Sequence, residues 1–232
     1  FSMSLDAYDI DIKDAIGQLG VQQIADRCEQ GATQLCGFVQ RDSAGQINTI
    51  YNLFINIDRA KTRGIDFETT YRRGVEWFGG GERVTVRLLT SYVDELSQTV
   101  SGNTQDRSGQ TGLTGGAPDW QANLSLGYER GGFSGTLQGR YINAGLYDAT
   151  WRTGVEIDDN TIDSFFLTNL QLAYQQDLAN GMNWRVSLNV NNLLDADPPL
   201  VASFGFTGSQ ATNSGLFDIY GRRYTLGVRL KF

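Results

Sequence analysis

The residues able to do chemistry are few. The 232-residue sequence has no histidine and only two cysteines. Without imidazole there is no serine–histidine or cysteine–histidine nucleophile, no histidine-ligated metal and no imidazole pH switch. Cys28 and Cys36 stand near Gly31 and Gly37. Such a pair either closes a small loop as a disulfide, which implies an oxidising compartment, or is two unrelated thiols. A metal site needs more ligands than two cysteines supply. Acidic residues gather at Asp6, Asp9, Asp11 and Asp14, at Glu156, Asp158 and Asp159, and at Asp195 and Asp197. They read as a cation or calcium site, or as solvated loop surface; no spacing matches a defined calcium loop. An aspartate pair is chemically able to do acid–base work, but none is singled out. The sequence therefore predicts no enzyme, no catalytic residue, no cofactor and no bound metal.

Composition excludes more. There are 19 basic and 26 acidic residues, for a net charge of −7, and no basic patch. Nucleic acid is excluded as a partner on that ground. Unbroken apolar runs reach only three residues, as in Leu53-Phe54-Ile55, far short of the roughly 20 a spanning helix needs. The chain has 28 glycines, 3 prolines, 12 phenylalanines, 10 tyrosines and 4 tryptophans, too aromatic for disorder.

What must position these residues is a series of strands, because apolar side chains recur with period two. Tyr224, Leu226, Val228, Leu230 and Phe232 alternate with Arg223, Thr225, Gly227, Arg229 and Lys231. Trp120 to Tyr128 and Trp184 to Val190 repeat the pattern. Weaker versions run through Met3–Ile12, Ile65–Tyr71, Val84–Leu88, Phe133–Tyr141 and Phe166–Tyr174. Strands are expected over about 1–12, 47–72, 82–96, 118–129, 132–146, 161–175, 182–194 and 217–232. Short turns at Gly79-Gly80-Gly81, Gly131-Gly132 and Asn180-Gly181 alternate with long polar connections near 13–46, 97–117, 144–162 and 193–216. That rhythm predicts an all-β antiparallel meander with two unlike ends. A short helix is expected within 13–30, where Ile16, Leu19, Val21 and Ile24 have helical spacing.

Alternation alone fits a soluble sandwich and a membrane barrel equally well. Three features favour the barrel. Aromatics end the apolar stripes, at Trp120 and Tyr128, Phe133 and Tyr141, Tyr174, Trp184, Tyr224 and Phe232, where interfacial girdles belong. The polar faces carry mid-strand charge at Arg87, Glu129, Arg140 and Arg229. The chain closes on an aromatic with no polar tail.

Leu188-Asn189-Val190-Asn191-Asn192-Leu193-Leu194-Asp195 resembles the penultimate strand and exit of the TonB-dependent receptors, transport barrels of Gram-negative outer membranes. Gly221-Arg222-Arg223-Tyr224 through Phe232 is similar to their closing strand. Thr62-Arg63-Gly64-Ile65-Asp66-Phe67-Glu68 resembles their element descending from a long external loop, and Pro118 before Trp120 fits the next descent. Thr225, Gly227, Leu230 and Phe232 resemble the terminal signal read by the outer-membrane assembly machinery.

The resemblance implies a C-terminal portion of a barrel of about 22 strands with a plugged lumen. Neither the plug domain nor a TonB-binding motif is recognisable here, and residue 1 falls inside a strand, as in a truncated chain. Implied partners are outer-membrane lipid, the plug and remaining strands, the TonB complex, and a small-molecule nutrient such as a ferric siderophore, haem, cobalamin or carbohydrate. The implied location is the bacterial outer membrane. The alternative is a self-contained eight-stranded barrel with a structural or adhesive role. Under this topology Cys28 and Cys36 lie in an external loop and form a disulfide that stiffens it. Asp66, Glu68, Arg72, Arg87, Glu129, Arg140 and Arg229 would line the lumen, meeting plug or substrate or pairing across strands. The external aromatics Tyr147, Trp151, Phe204, Phe206 and Phe217 would either stack on ligand or pack a loop cap.

Overall fold

The computed structural model describes residues 1–100, 102–112, 116–178, 181–201 and 211–232. Eight long strands form its main sheet: β1 (Ser2–Gly17), β2 (Ile55–Val75), β3 (Glu82–Val100), β4 (Trp120–Arg130), β5 (Phe133–Ile142), β6 (Phe165–Asp177), β7 (Asn183–Asn191) and β8 (Arg223–Lys231). They lie side by side in sequence order, every pair antiparallel. β1 and β8 are the two edges, and neither has an outer partner among the described residues.

Register settles which side chains share a face. Trp120 pairs with Tyr92, Leu124 with Leu88 and Tyr128 with Val84. Leu126 pairs with Leu137, Leu137 with Leu170, Leu170 with Val190 and Val190 with Tyr224. One face is thus a continuous apolar band. The other runs through Ser125, Gln138, Asn169, Gln171, Asn189 and Thr225. One register shift falls in the main sheet among the described residues. Gly64 faces Val93 and Arg63 faces Glu95, so Asp94 is a bulged residue. Glycine is required at that crossing. A Cβ on Gly64 would lie 2.4 Å from both the Tyr8 hydroxyl and the Tyr92 carbonyl oxygen.

Several boundaries differ from the sequence expectation. The strand expected over 47–72 begins at Ile55, because Ile47–Ile50 pairs with Val39–Arg41 in a separate hairpin. Asp42 closes that hairpin by accepting from the Ala44 and Gln46 amides, both at 2.9 Å. β3 continues past residue 96 to Val100 and folds back at Asn103–Asp106. Gly145–Leu146 and Thr161–Ile162 leave the main sheet and pair with each other. β8 begins at Arg223, since 211–222 is loop. These differences share one cause. Beyond the apolar band neither face of the chain is uniformly apolar, so alternation no longer reports pairing.

The long connections pack into two small cores at one end of the sheet. Helix α1 (Val21–Glu29) and the four-residue helix α2 (Thr33–Cys36) bury Leu19, Ile24 and Leu35 with Ile57 and Val100. Cys28 and Cys36 are bonded to each other and link the two helices. The second core joins Ile142, Tyr147, Ile162, Phe165, Leu167, Val201 and Phe217.

Closing a loop this short removes about 2–3 kcal/mol of unfolded-state freedom. Replacing both cysteines by alanine should therefore leave the sheet assembled but open the α1–α2 segment. Limited proteolysis should cut within 18–54 in the double variant and not in the parent.

Candidate functional site

The sheet has two surfaces with opposite chemistry. On the apolar face, Leu226 and Val228 keep 71% and 67% of their surface exposed, and Leu124, Leu126 and Phe166 are exposed too. A patch spanning eight strands is far larger than a monomer leaves in water. Aromatics bound it at two levels. At the cap end Trp120 packs edge-on against Tyr141 at 5.3 Å, level with Tyr92. At the opposite end Tyr128 meets Phe133 at 6.2 Å and Tyr174 meets Trp184 at 5.5 Å. Two aromatic belts around an apolar band are the mark of a lipid-facing wall.

The height of that wall is set by the shorter strands. β4 has 11 residues, close to the roughly 9–11 needed to span hydrocarbon on a tilt. β2 has 21 and β3 has 19, so their cap ends continue well beyond it. The outward face changes character at that point. Above Ile65 it carries Arg63, Lys61 and Arg59 on β2, flanked by Asp9 and Asp11 on β1 and by Asp94 and Glu95 on β3. Arg59 meets Asp11 at 2.7 Å and Lys61 meets Glu95 at 2.9 Å, while Arg63 pairs with Asp94. Lys61 lies between acids of both neighbouring strands, with Asp9 at 3.9 Å and Glu95 at 2.9 Å, while Arg59 meets an acid of β1 and Arg63 acids of β3, an arrangement suited to water or headgroups and not to hydrocarbon. Asp9 and Asp11 are thus ion-paired, and no acidic or cysteine cluster among the described residues could hold a metal ion.

The polar face carries the charges the alternation placed there. Asp66, Glu68, Arg72, Arg87, Glu129, Arg140 and Arg229 all project from it by register. Arg87 pairs with Glu68 at 2.8 Å and Arg83 with Glu129 at 3.7 Å. Arg140 has no ion-pair partner among the described residues. It opens into a cavity of about 870 Å³ between the polar face and the 211–222 loop, with Asn169, Asn191, Asp218, Tyr220 and Arg223. Arg223 meets Asp218 at 3.3 Å and stacks 4.8 Å over Tyr220. A polar hollow with one uncommitted guanidinium and an aromatic wall can bind a hydrophilic, anion-bearing solute.

The loop aromatics fall into three groups. Tyr147 and Phe217 are 1% and 2% exposed and belong to the cap core; Phe217 also borders the cavity. Trp151 is partly buried against Tyr147, at 5.5 Å. Phe204 and Phe206 lie outside the described residues. Tyr220, which the sequence did not single out, is the exposed aromatic of the cavity. Its only sequence signal is a position beside the Gly221-Arg222-Arg223 run. Of the terminal four, Thr225 and Gly227 face the polar side and Leu230 the apolar side of β8, and Phe232 follows its end.

The cap is held by buried polar contacts. Arg107 and Asp148, 6% and 3% exposed at their side chains, are 3.3 Å apart. Burial next to Asp148 pushes the Tyr147 hydroxyl up from its ordinary pKa. In the 143–164 loop, Arg152 donates to Glu156 and Thr161 donates to Asp159, and each bond holds its carboxyl below the usual range.

A family model described as TonB dependent receptor-like, beta-barrel matches residues 1–193. No curated protein matches the chain.

Two predictions follow from this geometry. Leu170→Arg places a charge at mid-height on the lipid side and should cost about 2–4 kcal/mol. The neighbouring Gln171→Arg, on the wet side, should be near neutral; urea unfolding in detergent measures both. Because Glu156 and Asp159 are shifted down, their stabilisation is complete above the ordinary carboxylate pKa and is lost as pH falls through the lowered values. Amide-exchange protection in 150–162, taken relative to the intrinsic rate at each pH, should therefore hold at neutral pH and fall only in strong acid.

Proposed function

The chain belongs to the TonB dependent receptor-like β-barrel family, a family of outer-membrane transporters; from that premise we propose that it forms eight adjacent strands of a plugged barrel of about 22 strands that takes up a scarce nutrient with energy delivered through TonB. The observation that carries the proposal is the two-faced open sheet, apolar and aromatic-belted on one side, polar and hollowed under external loops on the other. The solute class fits a siderophore, haem, cobalamin, carbohydrate or similar compound, with Arg140 its first polar contact on this wall. The plug and the TonB complex are the partners this reading requires. Thr225, Gly227, Leu230 and Phe232 serve as the signal that delivers the barrel to the assembly machinery. Among the described residues the outer edges of β1 and β8 have no partner, which weighs against a self-contained barrel of eight strands, since an open edge in hydrocarbon leaves backbone groups unsatisfied.

The test is growth on a panel of such nutrients, each supplied as the limiting source, with and without TonB. Growth on one class should require both the receptor and TonB. Growth that survives loss of TonB would contradict energised uptake. Arg140→Ala should weaken uptake affinity about tenfold, the worth of one charged hydrogen bond, with unchanged receptor in the outer membrane.

A further inference from the structure

One cation at the short-turn end of the apolar face has no acid to meet it. On β2 the outward residues run Ile65, Phe67, Thr69, Tyr71, Arg73 and Val75. Arg73 therefore stands where the apolar stripe should continue. It pairs with Val84 on β3, and Val84 pairs with Tyr128 on β4, so it shares a row with the aromatic belt at that end. Its side chain is exposed and has no hydrogen bond or ion pair among the described residues. Other outward cations are committed. Arg59, Lys61 and Arg63 each meet an acid at the cap end, and Arg130 meets Glu82 at 3.5 Å beside the turn.

The turn after β2 builds a cleft next to Arg73. The Phe78 amide donates to Glu82 at 2.9 Å, and the Phe78 carbonyl accepts from Arg130. These bonds hold the 76–81 turn against the start of β3 and the end of β4. Trp77 and Phe78 nevertheless stay 64% and 65% exposed. A cavity of about 690 Å³ lies there, and its walls include Tyr71, Arg73, Glu76, Trp77, Val84 and Val86. Glu76, like Arg73, has no partner among the described residues. The cleft is thus apolar along the strands and carries one uncommitted cation and one uncommitted anion.

That chemistry selects an occupant. A guanidinium is costly against hydrocarbon and well placed at headgroups, where its stem covers apolar surface and its charge reaches the polar layer. Tryptophan and tyrosine favour the same level. The guanidinium fork matches two oxygens of a phosphate, and a carboxylate accepts from an ammonium. The valines and Tyr71 offer an apolar track for the acyl chains. Resting on the reading that this face meets lipid, we propose that the cleft binds one phospholipid whose headgroup carries both a phosphate and a primary ammonium, a phosphatidylethanolamine. Arg73 holds the phosphate and Glu76 the ammonium, and the lipid fixes the 76–81 turn at the membrane surface. The site is separate from the luminal cavity and lies at the opposite end of the sheet from the loop cap.

The test uses the intact protein in detergent. Native mass spectrometry counts bound copies as phosphatidylethanolamine, phosphatidylglycerol or phosphatidylcholine is added. One copy of phosphatidylethanolamine should bind about tenfold more tightly than phosphatidylglycerol, which lacks the ammonium, or phosphatidylcholine, whose methylated ammonium cannot donate. Arg73→Gln should weaken that copy about tenfold. Glu76→Gln should abolish the preference for phosphatidylethanolamine over phosphatidylglycerol, a change in selectivity that a merely structural role would not produce. Free phosphoethanolamine at the same concentration should not displace the lipid. Equal binding of the three lipids by the parent, binding indifferent to Arg73→Gln, selectivity indifferent to Glu76→Gln, or displacement by the free headgroup would each overturn the site. Any of these results, together with period-two lipid access along residues 120–128 in bilayers, would remove this site and leave the barrel reading intact; loss of that alternation would remove both.

Discussion

Backbone hydrogen bonding is the constraint on which the rest depends. A chain that faces hydrocarbon has no water to satisfy its N–H and C=O groups, so each strand must be paired on both sides. Pairing in turn fixes register, and a slip of one residue would exchange the lipid face for the wet face along a whole strand. The antiparallel order meets this demand for β2 to β7, with consecutive neighbours joined at one end by short turns, and leaves one side of β1 and of β8 without a partner among the described residues. Gly79, Gly80 and Gly81 make one of those turns with positive φ at all three positions, which glycine tolerates without a steric penalty.

The one bulge in the main sheet among the described residues sits where the constraint relaxes. Below Gly64 the outward face is Ile65, Phe67, Tyr92 and Trp120; above it the outward face is Arg63, Lys61, Glu95 and Asp94. Water or headgroups can satisfy a local break there, and the extra residue lets β3 twist toward the cap. Strands of 21 and 19 residues then act as posts for the loops. The disulfide, the Arg107–Asp148 pair and two apolar cores tie those loops down at that end of the sheet. The loop cap and the apolar wall are thus two parts of the same strands, divided by the chemistry of successive outward residues.

Much of this was legible in the sequence, and the limits have physical causes. Wherever one face must be apolar, period two reports the strand, so Trp120–Tyr128 and Tyr224–Leu230 read directly. A helix does lie within 13–30, as α1, but Ile16 of the expected helical spacing belongs to β1 and Leu19 precedes the helix. The cap ends of β2 and β3 did not read, because both faces there are polar or charged and Asp94 breaks the phase. The Val39–Ile50 hairpin depends on an Asp42 turn and carries too few residues for a period. The luminal cavity joins Arg140 on β5 to Tyr220 and Arg223 far along the chain, a contact that only the sheet order creates. Arg27 on α1, with no exposed surface, is the clearest case. Its type predicts exposure, its helical position dictates burial, and nothing in the local sequence reveals which prevails.

The central claim is that one face of this sheet meets lipid and the other meets water. Spin labels placed one at a time along residues 120–128, in the protein reconstituted into bilayers, test it directly. Because Cys28 and Cys36 are bonded to each other, single introduced cysteines supply the labelling sites. Accessibility to dissolved oxygen and to a water-soluble nickel complex should alternate with period two. Ala122, Leu124 and Leu126 should favour oxygen, and Gln121, Asn123 and Ser125 should favour nickel. Equal nickel access at all positions, or alternation in the opposite phase, would contradict the account.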